Sequence, residues 1–331
     1  MTLRIGTRAS ALATTQTGHV AALLRERAGV ETELVEISTS GDRSQAAGTS
    51  LVGSSSNGVF VSALRDALLA GEVDVAVHSL KDLPTYPEAG IALAAVPTRE
   101  DPRDALVARD GLTLGELPAG SVVGTGSPRR GAQIAALGLG VVVRPIRGNV
   151  DTRIGKIASG EYDAVVVALA GLARLGRADE ATELLDPLQM LPAPGQGALA
   201  VECRADDTAT LEALALLDDA ATRAAVAAER ATLATLEGGC SAPIGALADV
   251  VEGDDGPELW LRAVVLSEDG TLAVRTSGSS PLAGDAATWS EAAIRLGERL
   301  ATEMLDDGAR ELSASSTTPP SAARSAEVHE A

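Results

Sequence analysis

Four short segments of this 331-residue chain concentrate arginine beside glycine. They are Gly6-Thr7-Arg8-Ala9-Ser10, Gly124-Thr125-Gly126-Ser127-Pro128-Arg129-Arg130, Arg147-Gly148-Asn149-Val150-Asp151-Thr152-Arg153 and Gly171-Leu172-Ala173-Arg174. Each follows an apolar run and opens a helical pattern, so backbone N–H groups, hydroxyls and guanidinium groups converge where an anion can bind. A single arginine of this kind is ordinarily a solvated or salt-bridged surface group. Five or six of them at strand ends, in a chain of net charge −19, point to a ligand with several carboxylates or phosphates. Residues 124–153 hold five arginines against the single acid Asp151, a net +4 that leaves −23 for the remainder. Lys81 and Lys156 are the only lysines, so the positive chemistry falls to arginine, whose rigid fork holds carboxylates in a bidentate manner. A GC-rich genome accounts for the general preference for arginine codons but not for the clustering. The second segment is not a dinucleotide fingerprint, because Arg129 stands where the last glycine belongs, and no Walker A pattern occurs.

Asp82 follows a strand-like run into the presumed positive field, which would keep a carboxylate ionised for pairing with a developing cation or relaying a proton. The residues alone leave that reading open beside a plainer one, a turn cap or a local partner of Lys81. His78 reads as structural. Cys240 follows Gly238-Gly239 on a loop, where an accessible thiol near cations serves as nucleophile or attachment point or is simply exposed. Cys203 lies within an apolar strand and reads as buried.

These residues need a frame to hold them. The first half alternates short apolar runs with helical patterns, the signature of βαβ units and a largely parallel sheet. Strands are expected at Leu3 to Thr7, Thr32 to Ser38 and Val73 to Val77, with helices over Ala11 to Arg27 and Val59 to Leu69. Residues 41–58, rich in Gly and Ser, read as a mobile loop. Thr98-Arg99-Glu100-Asp101-Pro102 suits a domain crossing. A second βαβ series follows, with strands at Val122 to Gly124, Val141 to Val143 and Ala164 to Ala168 and helices from about Arg129 and Asp151. Leu191 to Gly197 suits the return crossing. Two crossings between similar α/β units predict a cleft at the carboxyl ends of strands. From about Ala220 an Ala-rich helix runs to Gly238-Gly239. Strands at Ile244 to Val251, Leu259 to Leu266 and Leu272 to Ser277 precede a helix whose start, Thr288-x-x-Glu291, fits a capping box. The expected domains are 1–97 with 198–216 and 98–197, both α/β, then 217–311, a small α+β domain, and 312–331, a disordered tail.

Composition narrows the function. The negative charge argues against a nucleic-acid or anionic-membrane surface, and aromatic residues at 2% leave no base-stacking platform. No apolar run approaches bilayer length and Met1 to Gly6 opens no signal pattern, so a cytoplasmic protein is expected. Two cysteines and three histidines make a disulfide framework and a zinc site improbable, and no metal is expected.

In this order, Arg8-x-Ser10 with Gln16, Val77 to Pro84, Gly124 to Arg130, Arg147-Gly148-Asn149-Val150-x-Thr152-Arg153, Gly195-Gln196-Gly197 and Glu237-Gly238-Gly239-Cys240 with Pro243-Ile244-Gly245 resemble the porphobilinogen deaminase (hydroxymethylbilane synthase) family from about residue 3 to 310. The resemblance implies two periplasmic-binding-protein-like α/β domains with a central cleft and a small α+β C-terminal domain. It implies a dipyrromethane cofactor joined by thioether to Cys240 and primed for four porphobilinogen units, each losing ammonia to give an electrophilic methylene-pyrrolenine, before water releases hydroxymethylbilane. By the same resemblance Asp82 is catalytic. Lys81, Asp82, Ser127, Arg129, Arg130 and Arg153 meet the cofactor, and Arg8, Ser10, Gln16, Phe60, Arg147, Arg174 and Gln196 meet the substrate. A monomer is implied, with possible hand-off to the next tetrapyrrole enzyme. One departure stands out: Ser56-Asn57-Gly58-Val59-Phe60 has Asn57 where the family commonly has lysine, so Asn57→Lys is expected to leave turnover unchanged or raise it. The competing readings are a solute-binding protein on the same cleft, needing neither thiol nor Asp82, and a phosphate-ester or nucleotide enzyme using the Gly-rich turns.

Overall fold

The computed structural model describes residues 2–37, 56–236 and 243–314, without the side chains of 56–60 and 313–314. The chain begins with β1 (Thr2–Thr7) and α1 (Ala11–Leu23), whose start is capped by Ser10 Oγ accepting from Ala13 N at 3.3 Å. A π turn over Leu24–Ala28 extends α1 and stops at Gly29. Then come β2 (Glu31–Glu36), α2 (Ser56–Leu69), β3 (Val75–Ser79) and β4 (Ile91–Ala95). After a crossing the plan repeats with β5 (Asp104–Ala108), β6 (Val122–Gly124), α3 (Pro128–Ala136), β7 (Val142–Arg144), α4 (Val150–Ala158), β8 (Ala164–Ala168), α5 (Leu169–Arg174) and β9 (Glu183–Leu185). The chain then returns through β10 (Leu199–Arg204) and α6 (Thr208–Ala215).

The two sheets run β2-β1-β3-β10-β4 and β7-β6-β8-β5-β9. In each, the fourth strand has just arrived from the other unit and is antiparallel to both neighbours. Both reversed strands start where parallel strands finish: Leu199 pairs with Ser79, the last residue of β3, and Asp104 pairs with Ala168, the last of β8. The carboxyl ends of both sheets therefore open toward the crossings, the place where such sheets bind ligands. Central strands are buried on both faces and need apolar sequence, as β8 has throughout and β3 over Val75 to Val77. At the crossings the two chain segments touch. Gly197, at φ 87°, leaves no room for a Cβ, which would lie 2.4 Å from Glu100 O.

The third unit packs α7 (Ala220–Thr235) and α8 (Trp289–Asp306) on the antiparallel sheet of β11 (Ile244–Gly253), β12 (Gly256–Leu266) and β13 (Ala273–Pro281), followed by α9 (Ala309–Ala314). Alanine on α7 and Gly297 on α8 allow a close helix pair, since a Cβ at Gly297 would lie 2.3 Å from Ala228 O. Ala132 and Leu191 of the second unit pack with Leu247, Val264 and Leu266 of the third.

The mixed α/β class with two sheet-and-helix units and a smaller C-terminal unit is as expected; several details differ. β3 starts two residues late, because Val73 is buried but stands outside the ladder. α2 begins at Ser56, so 56–58 are helical rather than loop, while residues 38–55 lie outside the described residues. The capping box at Thr288 does not form: a 3₁₀ turn over Ala286–Thr288 precedes α8, and Thr288 Oγ1 donates to Asp285 O at 2.7 Å. Residues 312–314 are helical, Leu312 being buried against the C-terminal core, and the rest of the expected tail lies outside the described residues.

Candidate functional site

Asp82 closes a 3₁₀ turn over Leu80–Asp82 at the end of β3. Leu80 and Leu83 are buried and leave Lys81 and Asp82 half-buried between them. From the third unit, Arg230 of α7 grips the same turn, donating to Leu83 O at 3.2 Å and Pro84 O at 2.6 Å. Arg8, Gln16, Ser79 and Asp82 line one pocket, with Gln16 Nε2 donating to Ser79 Oγ at 2.9 Å. The loop after β1 and the turn after β3 thus meet, as parallel neighbours should.

A chain of polar contacts runs from that turn into the second unit. Lys81 Nζ donates to Gln196 Oε1 at 3.2 Å, and Gln196 Nε2 donates to Asp104 Oδ1 at 2.8 Å. Asp104, fully buried, also accepts from Arg129 Nη2 at 2.7 Å and from Arg130 Nε and Nη2 at 3.1 and 2.7 Å. Arg129 Nη1 reaches Leu191 O and Arg130 Nη1 reaches Val166 O. The two arginines that read as ligand-binding are thus buried, and their carboxylate partner belongs to the chain itself. Burial would raise Asp104, but the charges and hydrogen bonds of Arg129 and Arg130 outweigh it and hold this carboxyl well below the usual range. Burial, and then repulsion from Arg130, pulls Lys81 down to about 8.

The remaining cations surround this line. Ser127 caps α3, its Oγ accepting from Arg130 N at 3.4 Å. Asn149 caps α4, and Arg153 Nε donates to Gly148 O at 2.9 Å. Burial and the proximity of Arg130 lower Arg153. Arg174 Nη2 donates to Gly197 O at 2.6 Å, which ties α5 to the return crossing. Arg147 is exposed. Among the described residues, the charges acting on Lys81 are those of Asp82, Asp104, Arg129 and Arg130, and Arg129 Nε is a buried donor without a partner. That unpartnered donor, in a cluster of three cations and two acids, fits a ligand that brings its own carboxylates, as a dipyrromethane bearing acetate and propionate groups does. Cys240 lies outside the described residues, and so does the side chain of Phe60.

Two acids that composition did not single out organise the site from behind. Glu229 of α7, fully buried, accepts from Arg99 Nη1 and Nη2 at 2.7 and 3.0 Å, from Gly195 N at 2.6 Å and from Ala248 N at 2.9 Å. It joins both crossings to the third unit. Glu202 of β10 holds Arg65 with two hydrogen bonds of 3.1 and 2.7 Å, and His78 Nε2 lies 3.2 Å away but off the hydrogen-bond axis. His78 is buried beside this pair and also lines the pocket of Arg8 and Asp82. Burial would raise Glu202, but contacts with His78 and Arg65 pull it down to about 2. Cys203 is buried and pushed up to about 11 by that burial, an inert thiol. A signal for these acids and for Asp104 was available: Asp104 directly precedes the buried strand Ala105-Leu106-Val107, and Glu202 and Glu229 each follow directly on an apolar run, Leu199 to Val201 and Ala224 to Ala228. Among the described residues no group of His, Cys, Asp and Glu could hold a metal, and no helix is long and apolar enough to cross a membrane.

Two α/β units that meet at the carboxyl ends of their sheets around a cationic cluster define a two-lobed α/β protein. Residues 3–212 match the family domain "Porphobilinogen deaminase, dipyromethane cofactor binding domain", and residues 223–306 match the C-terminal domain of the same family. The chain is 58% identical over 315 residues to a porphobilinogen deaminase of Mycobacterium tuberculosis, covering 94% of this chain and 98% of the other. It is also 58% identical to one from Nocardia farcinica, covering 94% and 87% of the two chains. Among solved structures it is similar to an ABC transporter periplasmic substrate-binding protein from Coxiella burnetii, at a TM-score of 0.40 and 13% identity over 65% of this chain and 91% of that one. The chain belongs to the porphobilinogen deaminase family.

Proposed function

We propose that the chain is a hydroxymethylbilane synthase, condensing four porphobilinogen molecules in turn, with loss of ammonia, into a linear tetrapyrrole. When bound through Cys240, the dipyrromethane supplies the terminal ring to which new units are joined. The observation that carries this reading is the Lys81–Asp82 turn at the carboxyl end of β3, joined by hydrogen bonds to the arginine pair of the other unit.

Each residue has work to do in that reaction. Asp82 accepts hydrogen bonds from pyrrole N–H groups, balances the positive charge that develops as ammonia leaves, and takes part in proton transfer. Lys81, Ser127, Arg129, Arg130 and Arg153 hold the acetates and propionates of the primer. Arg8, Ser10, Gln16, Arg147 and Arg174, with Phe60, receive the incoming unit; Gln196, read from the family resemblance as a substrate residue, has both ends of its amide bonded within the chain instead. Partial burial strengthens each ion pair relative to water. We read residues 1–97 with 198–216, 98–197 and 217–311 as three domains acting as a monomer in the cytoplasm. Identity of 58% to porphobilinogen deaminases weighs against a non-catalytic anion-binding protein on the same cleft. The test is stoichiometry: incubation with porphobilinogen releases four ammonia molecules per hydroxymethylbilane formed, whereas a binding protein releases none.

A further inference from the structure

Gln196 is 1% exposed, and every polar atom of the residue is engaged within the chain. Oε1 accepts from Lys81 Nζ, and Nε2 donates both to Asp104 Oδ1 and to Pro102 O. Its main-chain O accepts from Arg99 Nε at 2.7 Å, and its N donates to Ala193 O at 2.9 Å. Neither end of the amide faces a ligand. Asp104 is likewise consumed by Gln196, Arg129 and Arg130.

We propose that Gln196 and Asp104 are positioning residues for Lys81, forming one hydrogen-bonded strut that fixes its ammonium relative to the Arg129–Arg130 pair of the opposite unit. The strut stands on the crossings: Gln196 belongs to the return segment, and Asp104, two residues beyond the outward one, is the first residue of β5. Residues at a crossing move least when the two units turn about it. A carboxylate held between Lys81 and the arginines therefore meets both cations at a constant spacing while the cleft changes shape. An amide in the middle suits this task, since it accepts from the ammonium and donates to the carboxylate at once. This inference rests on reading Lys81 as a carboxylate-binding residue.

The charges facing Lys81 are Arg129 and Arg130 from α3, Asp104 from β5 and Asp82 from its own turn. Removing Asp104's charge, or Gln196's acceptor, withdraws support from the protonated amine and lowers its midpoint. The chain's two lysines make this directly measurable. In the cofactor-bearing protein labelled with 13Cε-lysine, NMR titration reports Lys81 and Lys156 separately, and Lys156, paired with Glu161 on the surface, serves as the internal reference. Gln196→Met and Asp104→Asn are each expected to lower the Lys81 midpoint by roughly 0.5 pH unit or more and to leave Lys156 unmoved. The double variant is expected to shift it by less than the two single shifts together, because both act through the same strut. A Lys81 midpoint unchanged in folded Gln196→Met overturns the proposal, whether or not Asp104→Asn folds. If the wild-type protein carried no dipyrromethane and Lys81 still shifted, the strut would stand and the reading of its ligand would fall.

Discussion

Glu229→Ala tests how much of the molecule hangs on one buried acid. The substitution removes the acceptor of four hydrogen bonds, two from Arg99 and one each from Gly195 N and Ala248 N. The Arg99 side chain is 10% exposed and Glu229 is 0% exposed, so the stranded guanidinium has little access to water. Breaking such a pair from one side costs about 3–5 kcal/mol. Each stranded backbone N–H adds about 1–3 kcal/mol, less whatever water recovers by entering the vacated space. These sum to about 5–11 kcal/mol before that recovery, and a net loss of about 4–6 kcal/mol is a large part of a stability of about 5–15 kcal/mol. At about 2–4 °C per kcal/mol, the melting temperature should fall by roughly 8–24 °C. Glu229→Gln keeps the volume and one acceptor oxygen and should lose roughly half as much. Thermal unfolding followed by circular dichroism reads both. A Glu229→Ala protein melting within about 2 °C of wild type would show that the crossings are held by something other than this acid.

Asp82→Asn should keep its dipyrromethane, visible by mass, and lose turnover by roughly 10²–10⁴-fold, the usual effect of a positioned acid–base group; near-wild-type turnover would return Asp82 to the role of a turn residue. Arg230→Met withdraws both donors from Leu83 O and Pro84 O and should lower turnover about tenfold, with Arg230→Lys recovering part of it, as the loss of one or two charged hydrogen bonds requires; equal rates in all three proteins would count against a role for α7 in setting the Asp82 turn. Glu202, held down to about 2 from 4.5, contributes stability that is fully present above pH 4.5 and is lost as pH falls toward 2. Urea denaturation across that window should show Glu202→Gln to be less acid-sensitive than wild type, and parallel curves would contradict the assignment.

Much of this architecture is visible in the residues. Period-two and apolar runs mark β1, β3, β6 and β8, and the Gly-Arg segments mark the loops at their carboxyl ends, because in-sheet burial and anion binding each demand particular residue types. The reversed strands β5 and β10 are less legible: nothing local distinguishes an apolar strand that runs antiparallel from one that does not. The arginine pair shows a different limit. Arg129 and Arg130 read as ligand-facing from their charge and context, yet their partner Asp104 lies 25 and 26 positions away and is brought beside them by the placing of β5 next to β8 in the sheet. Thr288 illustrates competition at short range, where a 3₁₀ turn begun at Asp285 takes the hydroxyl that a capping box would use. Cys240 is legible only through its family context, since a cysteine after two glycines carries no chemistry by itself.

The tether decides the account. Intact mass of the purified protein, before and after brief exposure to porphobilinogen, should show one dipyrromethane on the wild-type chain and then a ladder of added pyrrole units, both absent from Cys240→Ser. An unmodified wild-type chain that still makes hydroxymethylbilane would contradict it.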